Sequence, residues 1–107
     1  LLETKVRASV SAVKQEKAIE AELVRRVEAI GGLCEKVSST KRGFPDRICF
    51  MPNGVIVLVE LKRPRGGRLS PHQRQYHKKL SALGVVVEVL KTTKDIDRLM
   101  QRLSNRV

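Results

Sequence analysis

Asp46-Arg47-Ile48-Cys49-Phe50-Met51-Pro52-Asn53-Gly54-Val55-Ile56-Val57-Leu58-Val59-Glu60-Leu61-Lys62 is the stretch that decides the fold. Two apolar runs, Arg47 to Met51 and Val55 to Leu61, flank Pro52-Asn53-Gly54. Asn-Gly between such runs signals a hairpin, because both residues tolerate the positive φ that a tight reversal requires. The second run is apolar at consecutive positions, so both of its faces need cover, as in a strand held between helices. Glu60 and Lys62 are two apart and share a face with Ile56 and Leu58. Charges that end a buried strand need partners or a metal, unless the strand simply surfaces there and both are solvated. Asp46 tips this choice, since it opens the first run as Glu60 closes the second. From the Asn-Gly turn, seven residues lead back to Asp46 and six forward to Glu60. The two reaches match within about one residue, the uncertainty of the turn type. Two converging carboxylates and an ammonium describe a hard-cation site with a charge beside it to steer a nucleophile.

Upstream, residues 11–30 have helical spacing. Ile19, Leu23, Val24, Val27 and Ile30 fall on one stripe, and Gly31-Gly32 stops it. Glu16 falls almost on the centre of that stripe and Glu20 about 40° off it. A carboxylate there suits a third ligand over the cation site, or else marks the point where the helix leaves the core. Leu33 to Ser38 can form a short edge strand, and residues 39–46 are a loop with Lys41 and Arg42 at its knuckle. Downstream, Lys62-Arg63-Pro64-Arg65-Gly66-Gly67-Arg68 is either a phosphate cradle or a solvated basic loop. Ser70 and Pro71 start a second helix, which ends at Gly84. Gln73 shares its inward stripe with Tyr76, Leu80 and Leu83, so its amide either reaches the site or caps the helix at the third position. Val85 to Leu90 reads as another buried strand. Thr92 or Thr93 caps a last helix that turns Ile96, Leu99, Met100 and Leu103 inward. The expected fold is α/β: a small mixed sheet, hairpin plus crossover strand, flanked by α-helices. Residues 1–107 read as one domain, with 1–10 a flexible or additional N-terminal segment.

Of the 107 residues, 22 are Lys or Arg and 11 are acidic, a formal charge of +11. So large an excess on a small domain suggests a polyanionic partner, because neutralised phosphates release counterions. Arg74 joins Lys41, Arg42, Arg63, Arg65 and Arg68 as candidates for contacting DNA. Aromatics make up only 3% (Phe44, Phe50, Tyr76), too few for a platform that stacks single-stranded bases. Cys34 and Cys49 form no CxxC pair, and His72 and His77 would point about 140° apart on a helix. These four build no zinc site and read as reduced, partly buried thiols and surface imidazoles. No apolar run is long enough to cross a bilayer, and the first residues lack a secretory-signal layout. The expectation is an intracellular protein without membrane or organic-cofactor partners.

Pro45-Asp46, thirteen intervening residues, then Glu60-Leu61-Lys62 resembles the PD-(D/E)xK nuclease signature. The ordered set Glu16, Gly43-Phe44-Pro45-Asp46, Glu60-Leu61-Lys62, Leu69-Ser70-Pro71-His72-Gln73 and Gly84 is similar to the VRR-NUC branch of that superfamily. The likeness covers about residues 15–95. It implies a restriction-endonuclease-like core, dependence on Mg²⁺ or Mn²⁺, and structure-specific DNA cleavage resembling that of Holliday-junction resolvases, with a homodimer as the working form. Asp46, Glu60 and the Leu61 main-chain carbonyl would then hold the metal, and Lys62 would position the attacking water. Glu16 and Gln73 would complete the site. The family often has Gln where Glu20 stands, so Glu20 competes with Glu16 for the helix role. Other readings are a general DNA nuclease without junction preference, a catalytically silent basic nucleic-acid-binding module, and a structural protein. Only the nucleases need a divalent ion.

Overall fold

The computed structural model describes residues 2–104, with side chains from residue 15 onward. Its elements run α1 (Leu2–Ala29), β1 (Leu33–Lys36), β2 (Arg47–Phe50), a 3₁₀ turn (Pro52–Gly54), β3 (Ile56–Leu61), α2 (Pro71–Ala82), β4 (Val87–Leu90) and α3 (Thr93–Ser104). One sheet has the order β1-β2-β3-β4. Its first three strands are antiparallel, and β4 returns parallel to β3 after the α2 crossover. The α/β expectation, a mixed sheet flanked by helices, holds.

The hairpin forms as its sequence dictates. Asn53 and Gly54 both adopt positive φ, 64° and 78°. The connection is wider than a two-residue turn, because Pro52 opens a single 3₁₀ turn that the Met51 N–H closes on the Val55 carbonyl at 2.7 Å. Arg47 pairs with Val59 and Phe50 with Ile56. Extended by one residue, that register sets Asp46 opposite Glu60.

The two faces of β3 meet different neighbours. Val57, Val59 and Leu61 join Ile19, Leu23 and Val27 of α1, Ile96, Leu99 and Leu103 of α3, and Cys34, Cys49, Met51 and Leu90 in one core. Ile56, Leu58 and Glu60 look the other way, where α2 covers only part of the sheet. Val57 through Leu61 are all buried, but Ile56 is half exposed. β4, expected to be buried, is an edge strand buried fully only at Leu90.

Several boundaries differ from expectation. α1 begins at Leu2 rather than residue 11, so the backbone of residues 2–10 is helical and continuous with the rest of α1. No Gly or Pro interrupts residues 2–30, and nothing in the sequence stops the helix earlier. Leu1 lies outside the described residues. The helix ends one residue before Ile30, which is exposed instead of inward. Gly31 and Gly32 close the end by donating to the Glu28 and Val27 carbonyls at 2.9 Å. α3 is capped by Thr92, whose Oγ1 accepts from the Asp95 N–H at 3.2 Å. No described helix is long and apolar enough to cross a membrane.

Candidate active site

Where β2 begins and β3 ends, the loop preceding Asp46 is fixed from two sides. Pro45 is fully buried, and Phe44 packs edge-on against Tyr76 of α2, ring centroids 5.5 Å apart. Gly43 has φ +87°, and a Cβ there would lie 2.3 Å from the His72 carbonyl oxygen. Only glycine allows this loop to press on the first turn of α2. Asp46 then anchors itself: its Oδ2 accepts from the Leu61 N–H at 2.8 Å, and its carbonyl accepts from the Val37 N–H at 2.9 Å. A strand residue points its N–H and C=O to the same side. The Leu61 carbonyl therefore also faces Asp46, whereas the Lys62 N–H turns to the Leu90 carbonyl of β4.

Glu60 is 1% exposed and shares a hydrogen bond with Asp46. Burial first, then that hydrogen bond and the charge of Asp46, pushes its carboxyl up to about 9, against the opposing pull of Lys62. Glu60 therefore keeps its proton at neutral pH when no cation is present.

Asp46, Glu60, Leu61, Lys62, Glu16 and Gln73 all line one open cavity of about 360 Å³, together with Glu20, Lys17 and Lys36. Glu20 is committed elsewhere: Arg47 Nε donates to its Oε2 at 2.8 Å, and Arg47 Nη1 to the Cys34 carbonyl at 2.9 Å. Glu16 carries no such ion pair among the described residues, although both helix carboxylates line the cavity. Gln73 takes the capping role and also lines the cavity. Its Oε1 accepts from the Ser70 N–H at 2.8 Å, closing a capping box. Its amide nitrogen is what remains for the cavity.

The basic candidates separate by position. Arg63 and Arg68 line a second cavity of about 250 Å³ that shares Glu16 and Lys62 with the first. Gly67 makes that loop possible, since a Cβ there would lie 2.4 Å from the Arg63 carbonyl oxygen. Arg65 is exposed on the same loop, and Lys41 and Arg42 are exposed on the knuckle before Asp46, Arg42 within 3.3 Å of His72. Arg74 lies away from the cavity, beside Pro71, Gln75 and Lys78. Lys17 and Lys36, absent from the candidate set, stand at the cavity itself. On paper they are ordinary exposed lysines, and only the sheet's meeting with α1 brings them there.

His77 requires a correction. Expected at the surface, it is 8% exposed, and its Nε2 lies 3.3 Å from Glu60 Oε1. Burial, then the nearby Lys62 charge, pushes its pKa down. The signal was its spacing: His77 follows Gln73 by four and shares its face. Leu83, expected inward on that helix, is instead 79% exposed, because α2 ends at Ala82. The thiols are buried more deeply than expected, Cys34 and Cys49 facing each other across β1 and β2 at 3.6 Å. The Cys49 contact and then the Arg47 charge pull Cys34 down against its burial, while the same contact and burial push Cys49 up.

Among the described residues, no three Asp, Glu, His or Cys side chains stand close enough to form a complete metal cluster. The donor set is nevertheless suited to a hard cation of the Mg²⁺ kind, which is held through one or two carboxylates and keeps water and substrate oxygens for the rest. A buried Glu60 that is driven to hold a proton marks a place where a cation would be accepted in its stead.

A mixed four-stranded sheet with α1 and α3 on one face and α2 on the other, and with paired acids and a lysine at its rim, defines an α/β nuclease fold. The VRR-NUC domain family model matches residues 3–94. A phage relative bearing the name "Putative nuclease p44", from Acyrthosiphon pisum secondary endosymbiont phage 1, is 47% identical over 77 residues, spanning 71% of this chain and 82% of the relative. A solved structure titled "VRR_NUC domain" superposes with a TM-score of 0.77 at 34% identity, covering 81% of this chain and 95% of that one. The chain belongs to the VRR-NUC family and carries its nuclease domain.

Proposed function

We propose that the chain is a Mg²⁺- or Mn²⁺-dependent endodeoxyribonuclease that hydrolyses phosphodiester bonds in branched DNA, working as a homodimer. One observation carries the catalytic part: Asp46 and Glu60 line one open cavity beside Lys62, with basic walls, and their carboxyls act on each other there. Asp46, Glu60 and the Leu61 carbonyl would hold the cation, with Glu16 across the cavity as a further carboxylate. When bound, the cation supplies Lewis-acid polarisation of the scissile phosphate and lowers the pKa of the attacking water.

The chain's own groups do the rest. Lys62, carried one residue beyond β3, orients the water and stabilises charge growing on the phosphate oxygens. Water adds in line to phosphorus as the bond to the 3′ oxygen breaks, leaving a 5′-phosphate and a 3′-hydroxyl. The Gln73 amide nitrogen donates to a phosphate oxygen, a role its capped Oε1 cannot take. Arg63, Arg65 and Arg68, with Lys41 and Arg42, hold flanking phosphates, and Arg74 a more distant one. A homodimer suits a junction substrate, because symmetric cleavage of two strands needs two sites related by a two-fold axis.

The test is cleavage of labelled four-way junctions, flaps, duplexes and single strands with Mg²⁺, Mn²⁺ or EDTA. Cutting is expected only with the divalent ions and best on the junction, and Lys62→Ala should abolish it while leaving the fold intact. Cleavage undiminished in EDTA would remove the cation, and equal rates on all duplexes would leave a general nuclease.

A further inference from the structure

We propose that His77 is a positioning residue that engages one oxygen of Glu60 and so makes the site favour a small octahedral cation over Ca²⁺. This rests on the reading of Asp46 and Glu60 as cation ligands. The contact joins two buried groups, His77 Nε2 and Glu60 Oε1, at 3.3 Å. A carboxylate that holds a cation is ionised and can only accept, so in the loaded site the hydrogen lies on Nε2 and His77 donates.

The ring is not free to follow a moving carboxylate. α2 is fixed near its start by Gly43 lying against His72 and Gln73, by the capping box of Ser70 and Gln73, and by the Phe44–Tyr76 contact. His77 therefore offers its N–H from a set place, and Glu60 keeps Oε1 turned towards α2. Oε2 is the oxygen left for a cation.

Cation choice follows from oxygen count. Mg²⁺ demands near-ideal octahedral coordination and accepts single oxygens from carboxylates, whereas Ca²⁺ takes about six to eight oxygens and commonly uses both from one carboxylate. A Glu60 that can give only one oxygen underfills the larger ion. Partners that orient a ligating side chain typically change metal affinity by about 10–100-fold when removed.

The full chain, without DNA, is titrated with Mg²⁺, Mn²⁺ and Ca²⁺ while its thermal unfolding is followed. Wild type is compared with His77→Leu, which cannot donate, and His77→Gln, whose amide nitrogen sits about where Nε2 does. His77→Leu should weaken Mn²⁺ binding by ~10-fold or more and Ca²⁺ binding far less, and His77→Gln should restore the preference. If His77→Leu does not fold, His77→Asn, too short to reach Oε1, replaces it with the same expectation. An Mn²⁺-to-Ca²⁺ affinity ratio unchanged in whichever of these variants folds overturns the role of His77 alone. Absence of any ion binding by wild type overturns the cation reading of Asp46 and Glu60, and this inference with it.

Discussion

Along one face of β3, Ile56 is 50% exposed, Leu58 5% and Glu60 1%. The aliphatic end faces solvent, beside Phe50 on β2 and Leu33 on β1, which are also exposed, while the charged end is buried at the floor of the open cavity. Hydrophobicity alone would order these residues the other way. What orders them is the position of α2: it covers the sheet where β3 ends, and there it supplies a histidine rather than a leucine. A fold that spends its cover on a carboxylate and leaves isoleucine uncovered is built around that carboxylate. The contrast makes two claims that can be broken separately. The covered acid serves chemistry at a cost in stability, and the uncovered aliphatics contribute little to the folded chain.

The largest effect is expected at Glu60. Glu60→Gln keeps the shape and the hydrogen-bonding capacity but removes the charge. Cleavage should fall by about 10³-fold or more, the scale on which electrostatic groups act in such sites. Thermal stability of the metal-free variant at pH 8 should stay level or rise, because a glutamine has no proton to take up on folding at that pH. A melting temperature lowered by more than about 5 °C with activity retained would make Glu60 a structural group and end the contrast.

Next comes the pH response of the metal-free protein. Folding raises the Glu60 carboxyl to about 9, so the folded chain keeps a proton that the unfolded chain releases near 4.5. Below that lower value both states are protonated and nothing is lost. As pH rises from about 4.5 to about 9, the unfolded state is progressively favoured and stability falls. In EDTA the melting temperature should drop by ~5 °C or more across this window beyond the trend of Glu60→Gln. Saturating Mg²⁺ should flatten the slope, since a cation takes the proton's place. Identical slopes for wild type and Glu60→Gln in EDTA would show that Glu60 is not the group responsible.

How much of this was legible in the sequence depends on range. The hairpin was, because Asn53 and Gly54 announce it locally, and its register then set Asp46 opposite Glu60. The helix stripes of α1 and α3 were legible for the same reason. For His77 only the face was legible, from its spacing to Gln73; its burial depends on how α2 docks, with Gly43 some thirty residues earlier pressed against its first turn. The ion pair that distinguishes Glu20 from Glu16 was also beyond the sequence, because it needs Arg47 to reach across from β2. Lys17 and Lys36 came to the cavity by the same kind of long-range meeting. Patterns of two and of 3.6 residues report which face a side chain takes; they do not report which partner covers that face.

The smallest expected effect tests the exposed end. Ile56→Thr keeps the β-branched shape and strand preference while replacing a methyl-bearing arm with a hydroxyl that water can solvate. With half of Ile56 in solvent, its stability should change by no more than about 0.5 kcal/mol, as for surface positions outside special features. Cleavage and metal binding should not change, since the substitution lies four residues from Glu60 at the far end of the strand. Denaturant unfolding at two protein concentrations checks this. A concentration-independent loss well above that size would mean that Ile56 is packed within the chain and that α2 reaches further over the sheet. A loss that grows on dilution would instead mean that another molecule covers the aliphatic end, and exposure in the single chain would then cease to measure what the strand buries.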